Sequence, residues 1–323
     1  MRATRWMPAA LTICVLAGGV AFCQNEEDFE IRLFRPRLEI SADTFPSRSF
    51  EDDTGEYGSH SGRLSVNIPL GSAHLRPKGE RILGYQFLLQ AALSEASPDI
   101  NLTPANEDHR LYTGSLSFTS LMLGRSKNLY LVSVGGSAAE DQDTKQSPSG
   151  RFYGAAGGTH RYPGGSMLIY GGAFTYTFGR GLPLPIIGAL WHLSPKWSLI
   201  ALAPFNVAGN YRASGKVTVR VGTGPSGNNY RFSNENQSDF AGEPDLVYLH
   251  VVQWRTTGSV EWRVSDAVAL LVQAGTTRAV RFQIADNARG TDPFIDEKTG
   301  SAPYARIAAR FTFGKSILED WKD

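Results

Sequence analysis

Tyr248–Val264 reads YLHVVQWRTTGSVEWRV. Val252, Trp254, Val260, Trp262 and Val264 share one phase of a period of two, and Gln253, Arg255, Thr257, Ser259, Glu261 and Arg263 share the other. Successive side chains of an extended chain point to opposite faces, so this stretch predicts a long strand with one apolar and one polar face. The same pattern recurs on both sides of it. In Lys216–Thr223, Val217, Val219 and Val221 oppose Thr218 and Arg220; in Ala305–Phe313, Ile307, Ala309, Phe311 and Phe313 oppose Arg306 and Arg310. Gly62–Leu70 and Leu111–Leu121 alternate likewise, and no capped segment of helical period stands beside them.

Extended to the whole chain, this reading gives about twelve strands: 33–43, 61–71, 81–95, 109–122, 127–138, 166–179, 184–193, 196–204, 208–223, 246–264, 267–284 and 303–314. Several exceed the ~5–6 residues usual in globular proteins and reach the ~9–11 that a tilted strand needs to cross a bilayer. The connections also sort by length. Those at 44–60, 96–108, 139–165, 224–245 and 285–302 read as long loops, while LGRS (123–126), RGLP (180–183), FNV (205–207) and SD (265–266) read as short turns. Leu193–Pro195 is short where this order expects a long loop. Long loops at one end and tight turns at the other are the mark of an outer-membrane barrel. A strand in hydrocarbon must pair all its N–H and C=O groups, so such a sheet has to close on itself. The expected fold is therefore all-β: a transmembrane, up-and-down, antiparallel β-barrel over 33–314, flanked by periplasmic segments 24–32 and 315–323.

Composition agrees with this class. The 323 residues carry 32 basic and 31 acidic side chains, a formal net charge of +1, which gives no electrostatic reason to expect a nucleic-acid partner. Met1–Cys23, with Arg2 and Arg5 before an apolar stretch and small residues at its end, reads as a cleaved secretory signal peptide. Cleavage fits after Ala21 or after Cys23; acylation of Cys23 is the alternative, and Phe22 opposes it. Outer-membrane lipids and the barrel-assembly machinery are the partners this reading implies.

Leu182–Arg212, LPLPIIGALWHLSPKWSLIALAPFNVAGNYR, resembles an uncharacterised family of bacterial outer-membrane β-barrel proteins through its turn prolines and spaced tryptophans. The resemblance implies location and architecture, and carries no catalytic residue with it.

Candidate chemistry is sparse. The six histidines form no zinc-ligand spacing, and the acidic stretches at 140–143 and 292–297 lack a regular calcium-loop order, so neither a metal nor a cofactor is expected. His250 falls on the lipid-facing phase but has no serine placed beside it for a lipid-acting enzyme. By phase, Arg63, Arg220, Arg255, Arg263, Arg281, Arg306 and Arg310 point into the lumen, with Glu39 and Glu261 as partners. Trp191, Trp197, Trp254, Trp262, Phe311 and Phe313 suit the interfacial aromatic bands. Two main functions follow: a narrow channel or transporter for small solutes with a positive wall, or a structural or interaction barrel with a filled lumen and its long loops as partner surface. A lipid-acting barrel enzyme and a secreted soluble β-sandwich are lesser alternatives.

Overall fold

The computed structural model describes residues 35–51, 55–74, 82–101, 110–124, 128–141, 150–177, 180–203, 206–233, 246–286 and 293–313. The signal-peptide, 24–32 and 315–323 assignments lie outside these residues. The strands are β1 (Arg37–Ser49), β2 (Glu56–His74), β3 (Ile82–Asn101), β4 (Leu111–Gly124), β5 (Leu129–Asp141), β6 (Gly150–Arg161), β7 (Met167–Thr177), β8 (Arg180–His192), β9 (Trp197–Ala203), β10 (Asn206–Arg212), β11 (Val217–Ser233), β12 (Leu246–Arg263), β13 (Val268–Ala285), β14 (Ile295–Glu297) and β15 (Ser301–Thr312). Each pairs antiparallel with its neighbour in sequence. β13 skips the three-residue β14 to pair with β15 along Val268–Arg278, and β15 pairs with β1 from Arg37↔Thr312 to Thr44↔Ala305. Among the described residues the result is a closed ring of fourteen strands, with β14 continuing the line of β15 along β13.

Fourteen replaces the expected twelve for two reasons. β6, GRFYGAAGGTHR, lies inside what reads as the loop 139–165. Its small residues give almost no apolar contrast, so alternation is nearly silent there. The turn after it is nevertheless written in the sequence, because Pro163 is followed by Gly164 and Gly165 at φ 89° and 84°. The second miss is the merger of β10 and β11 into one strand at 208–223, when a tight turn at 213–216 separates them. There the Ser214 hydroxyl accepts from the backbone N–H of Lys216 (3.2 Å) and Val217 (3.1 Å). Ser194 does the same for Lys196 and Trp197, and Ser265 for Ala267 and Val268. SPKW, SGKV and SDAV are thus one turn device used three times.

Restoring the two strands also reassigns the connections. The stretch 193–195 now joins SD at the end where β1 begins and β15 stops, but RGLP is the start of β8 and not a turn. The β7–β8 and β9–β10 connections are short at the end where β1 and β2 are joined, so the sorting of loops by length holds only in part. The stretch 224–245 is likewise not all loop, since β11 continues to Ser233.

The outer face of the barrel is apolar in the middle. Ile40, Leu64, Leu93, Leu116, Val132, Val134, Ile187, Val221, Val260, Val272 and Ile307 are all exposed there. Aromatics flank this band. Tyr130, Trp191, Trp197, Trp262 and Phe313 are exposed near the turn end, and Tyr112, Phe152, Phe174 and Trp254 toward the loop end. Trp254 and Trp262 lie eight positions apart on β12, which at a tilt near 40° spans roughly 20 Å, close to the ~25 Å band of a membrane barrel. Two glycines allow close packing in the wall. A Cβ on Gly171 would stand 2.4 Å from the Ala156 carbonyl oxygen, and one on Gly135 would stand 2.6 Å from the ring of Tyr153.

The wall is not uniform along its height. β10 pairs with β11 only through Thr223. Beyond that point β11 keeps β12 as its partner to Ser233, and Arg231 pairs in parallel with Glu140 of β5. The outer part of the β11–β12–β13 arm therefore leaves the wall and crosses to β5. β5 and β11 both run toward the loop end, so the seam between them has to be parallel. The narrower ring that results is filled by side chains, as small rings are. Phe45, Phe50, Tyr57, Leu111, Tyr230, Leu249, Val251, Phe282, Ile284 and Tyr304 form one buried cluster, with Phe294 and Ile295 packed against it. The Phe282 ring lies 5.1 Å from Phe50 and 5.0 Å from Tyr57. Among the described residues no helix is long and apolar enough to cross a membrane.

Candidate functional site: a charged lumenal chamber

Below the aromatic cluster, β1–β4 and β11–β15 turn a polar face inward, whereas β7–β10 turn in an apolar one. Met167, Leu190, Ile200 and Ala208 form one buried group, and Ala173 and Leu184 another. The polar half encloses a chamber of about 320 Å³. Its walls come from alternate residues of β1 (Arg37, Glu39, Ser41, Asp43) and β2 (Ser59, Ser61, Arg63, Ser65, Asn67), completed by β3, β4, Tyr153, Gln253, Arg255 and Arg306.

Glu39 is the electrostatic centre. Its carboxylate accepts from Arg37 Nη2 at 3.0 Å, Arg306 Nη2 at 3.0 Å and Arg310 Nε at 3.2 Å, and its side chain is 13% exposed. Arg310 Nη1 also donates to Glu261 at 2.8 Å. Arg306 donates from Nη2 to the Ser41 hydroxyl at 3.2 Å. A second group surrounds Asp43. Arg255 stands 3.7 Å from it, Tyr304 donates its hydroxyl to it at 3.3 Å, and Ser61 donates at 2.5 Å. Arg255 also donates to Gln253 (3.0 Å) and the Tyr304 hydroxyl (3.2 Å), with its guanidinium 4.4 Å from the Tyr304 ring centre. The register aligns these partners: Glu39↔Arg310 and Asp43↔Arg306 are directly opposed across the β1–β15 closure. The seam that closes the barrel therefore also carries the Glu39 ion pairs with Arg306 and Arg310.

Most arginines expected in the lumen take that phase. Arg63, Arg255 and Arg306 line the chamber, and Arg310 joins its network. Arg220 opposes Ser259, and Arg263 opposes Ala269 at the turn end, both on the inward phase. Arg281 is the correction. Ala279 pairs with Gln253 and Arg281 with Val252, so Val280 is an extra residue in a β-bulge. One inserted residue reverses the faces beyond it. Arg281 therefore points away from the Arg255 side and stands 3.7 Å from Asp296.

His250 is a second correction. Its phase on β12 is that of Trp254, but it lies on the part of the arm that has left the wall. It is 8% exposed, and its Nδ1 is 3.2 Å from Asn229 Oδ1. His192 braces a turn through Nδ1 and the Gly165 carbonyl, 2.9 Å apart. Trp191, Trp197, Trp254, Trp262 and Phe313 are exposed on the outer face, and Phe311 shares their phase while partly covered. Among the described residues no cluster of His, Cys, Asp and Glu is suited to hold a metal.

Arg37, Asp43 and Tyr153 were not among the residues read from sequence. Arg37 and Asp43 were legible, because they continue the Glu39 phase along β1. Tyr153 was not, because its strand was hidden.

No family model matches the chain, and no curated protein matches it in sequence. Solved structures do align. An outer-membrane channel of the COG4313 group from Pseudomonas putida F1 is 9% identical over 90% of this chain and 99% of its own, at a TM-score of 0.47. The transport unit of the autotransporter AIDA-I from Escherichia coli is 9% identical over 95% and 98%, at 0.37. Outer membrane protein Omp33 from Acinetobacter baumannii is 10% identical over 87% and 99%, at 0.35.

Proposed function

We propose that this protein resides in the outer membrane and admits small polar solutes to its lumen, favouring anions. The observation that carries the reading is the chamber itself. Four arginines line it against two carboxylates, in a wall of hydroxyl and amide groups. A protein that used its lumen only as filling would gain more from apolar packing there, since paired charges in an interior contribute little net stability. An excess of fixed positive charge along a narrow passage lowers the electrostatic barrier to anions and raises it to cations. The short-turn end then faces the periplasm, and the aromatic cluster under the loops closes the outer mouth in this conformation. Outer-membrane lipids and the barrel-assembly machinery are the partners that the reading brings with it, and it assigns no catalysis.

The test has two stages. Membrane fractionation with heat-modifiable gel mobility should place a folded barrel in the outer membrane. Planar-bilayer recording of the purified protein in a salt gradient should then give a reversal potential shifted toward the anion. A folded protein that neither conducts nor admits solutes in a liposome-swelling assay would overturn the reading. The second function, a structural or interaction barrel, is favoured by the same aromatic cluster and by the apolar interior of β7–β10. It predicts a conductance of zero under all those conditions.

A further inference from the structure

We infer that the chamber binds a small, hydroxyl-rich organic monoanion of the sugar-acid or hydroxy-acid type, with Arg63 as its anchor. The inference deepens the reading above and rests on it for the access of solute to the lumen. Arg63 stands apart from the other arginines of the chamber. Arg37 and Arg306 hold Glu39, and Arg255 faces Asp43. Arg63 makes no hydrogen bond or ion pair with any described residue, yet it lines the chamber and is solvent-exposed. Its cross-strand neighbours on the same face are Ser41 of β1 and Ser94 of β3, neither of them charged.

A guanidinium has five N–H donors in a rigid fork and no acceptor, and it matches a carboxylate with two parallel bonds. The carboxylates that would ordinarily quench Arg63 are engaged by other arginines. The chamber thus presents one open cationic fork, while its other three arginines are held at Glu39 and Asp43; one fork takes one carboxylate, so the ligand is a monoanion. The rest of the ligand is set by the lining. Ser65, Asn67, Gln90, Ser94 and Ser115 offer neutral donors and acceptors. An acyl chain placed against them would leave those groups unpaired, at a cost that a polyol avoids. A volume of about 320 Å³ is at the low end for small-molecule sites and suits a six-carbon acid better than an oligosaccharide.

The experiment is calorimetric titration of the purified, full-length barrel in detergent with D-gluconate and, separately, D-sorbitol. Both are open-chain polyols with the same hydroxyl configuration, and they differ mainly in the carboxylate. The expected result is saturable gluconate binding at least tenfold tighter than sorbitol. Arg63→Gln should weaken gluconate by roughly 10- to 100-fold and leave sorbitol unchanged, the span expected for a charge-assisted bond. Ser94→Leu, which fills the space beside Arg63, should cost at least tenfold and decides the question if Arg63→Gln does not fold by gel mobility. The inference is overturned by equal affinity for gluconate and sorbitol, by no gluconate binding to the folded native barrel, or by gluconate binding unaffected in the folded variant. Bilayer recording separates this site from the passage. Binding without conductance sinks the passage and leaves the site; anion-selective conductance with gluconate block unchanged in Arg63→Gln sinks the site and leaves the passage.

Discussion

Replacing Glu39 by glutamine keeps the shape of the side chain and removes the one charge that three guanidiniums share. Its carboxylate accepts from Arg37, Arg306 and Arg310 at 3.0, 3.0 and 3.2 Å. A unit-charge pair about 4 Å apart at an effective dielectric near 20 is worth roughly 4 kcal/mol before solvation. Three such contacts do not sum, because Arg310 keeps Glu261 and Arg306 keeps Ser41 in the variant. Water in the chamber also recovers part of the loss. What remains is the cost of stranding buried cations without their acceptor, about 3–5 kcal/mol. Glu39→Gln should therefore lower the stability of the barrel by about that much. The assay is equilibrium urea unfolding in lipid vesicles, followed by tryptophan fluorescence and by gel mobility. Glu39→Gln combined with Arg306→Gln should recover about 1–2 kcal/mol, because one of the stranded charges is gone. In bilayers, the single variant should also shift the reversal potential further toward the anion. A loss below about 1 kcal/mol, with no recovery in the double variant, would refute the view that the β1–β15 seam depends on this carboxylate.

Other outcomes follow from the two faces and the two rings. Val260→Arg puts a charge in the middle of the lipid-facing band and should cost about 2–4 kcal/mol, whereas Ser259→Glu, which puts a charge one residue away on the lumenal face opposite Arg220, should cost much less in the same urea assay. Gly135→Val should destabilise by about 1–3 kcal/mol because its Cβ meets both the Tyr153 ring and the Ser117 Cβ, and Tyr153→Ala should relieve only part of that loss. Phe282→Ala empties the space between Phe50 and Tyr57 in the cluster under the loops; the expected result is a higher open probability in single-channel records, and an unchanged record would show that this cluster does not close the mouth.

Several features were legible without coordinates because they are local. Alternation at Tyr248–Val264 and Ala305–Phe313 placed Trp254, Trp262 and Ile307 outward and Arg255, Arg306 and Arg310 inward, since side-chain direction in a strand depends only on parity. Parity also explains why Arg281 departs from its phase. The bulge at Val280 adds one residue and reverses Arg281, and no composition signal marks it. β6 was lost because glycine and alanine carry no apolar contrast, and the 213–216 turn was lost although SGKV repeats the chemistry of SPKW and SDAV.

Sequence alone determined that the chain forms long two-faced strands with an apolar side suited to hydrocarbon, because that information lies in neighbouring residues. Tertiary structure decided how many strands close the ring, which carboxylate meets which arginine, and where the lumen is shut. Glu39 meets Arg310 only through the β1–β15 register, across 271 residues of chain. His250 is buried only because the β11–β12–β13 arm leaves β10 and crosses to β5. Both depend on contacts between distant strands, whose geometry is fixed by closure and not by any local pattern.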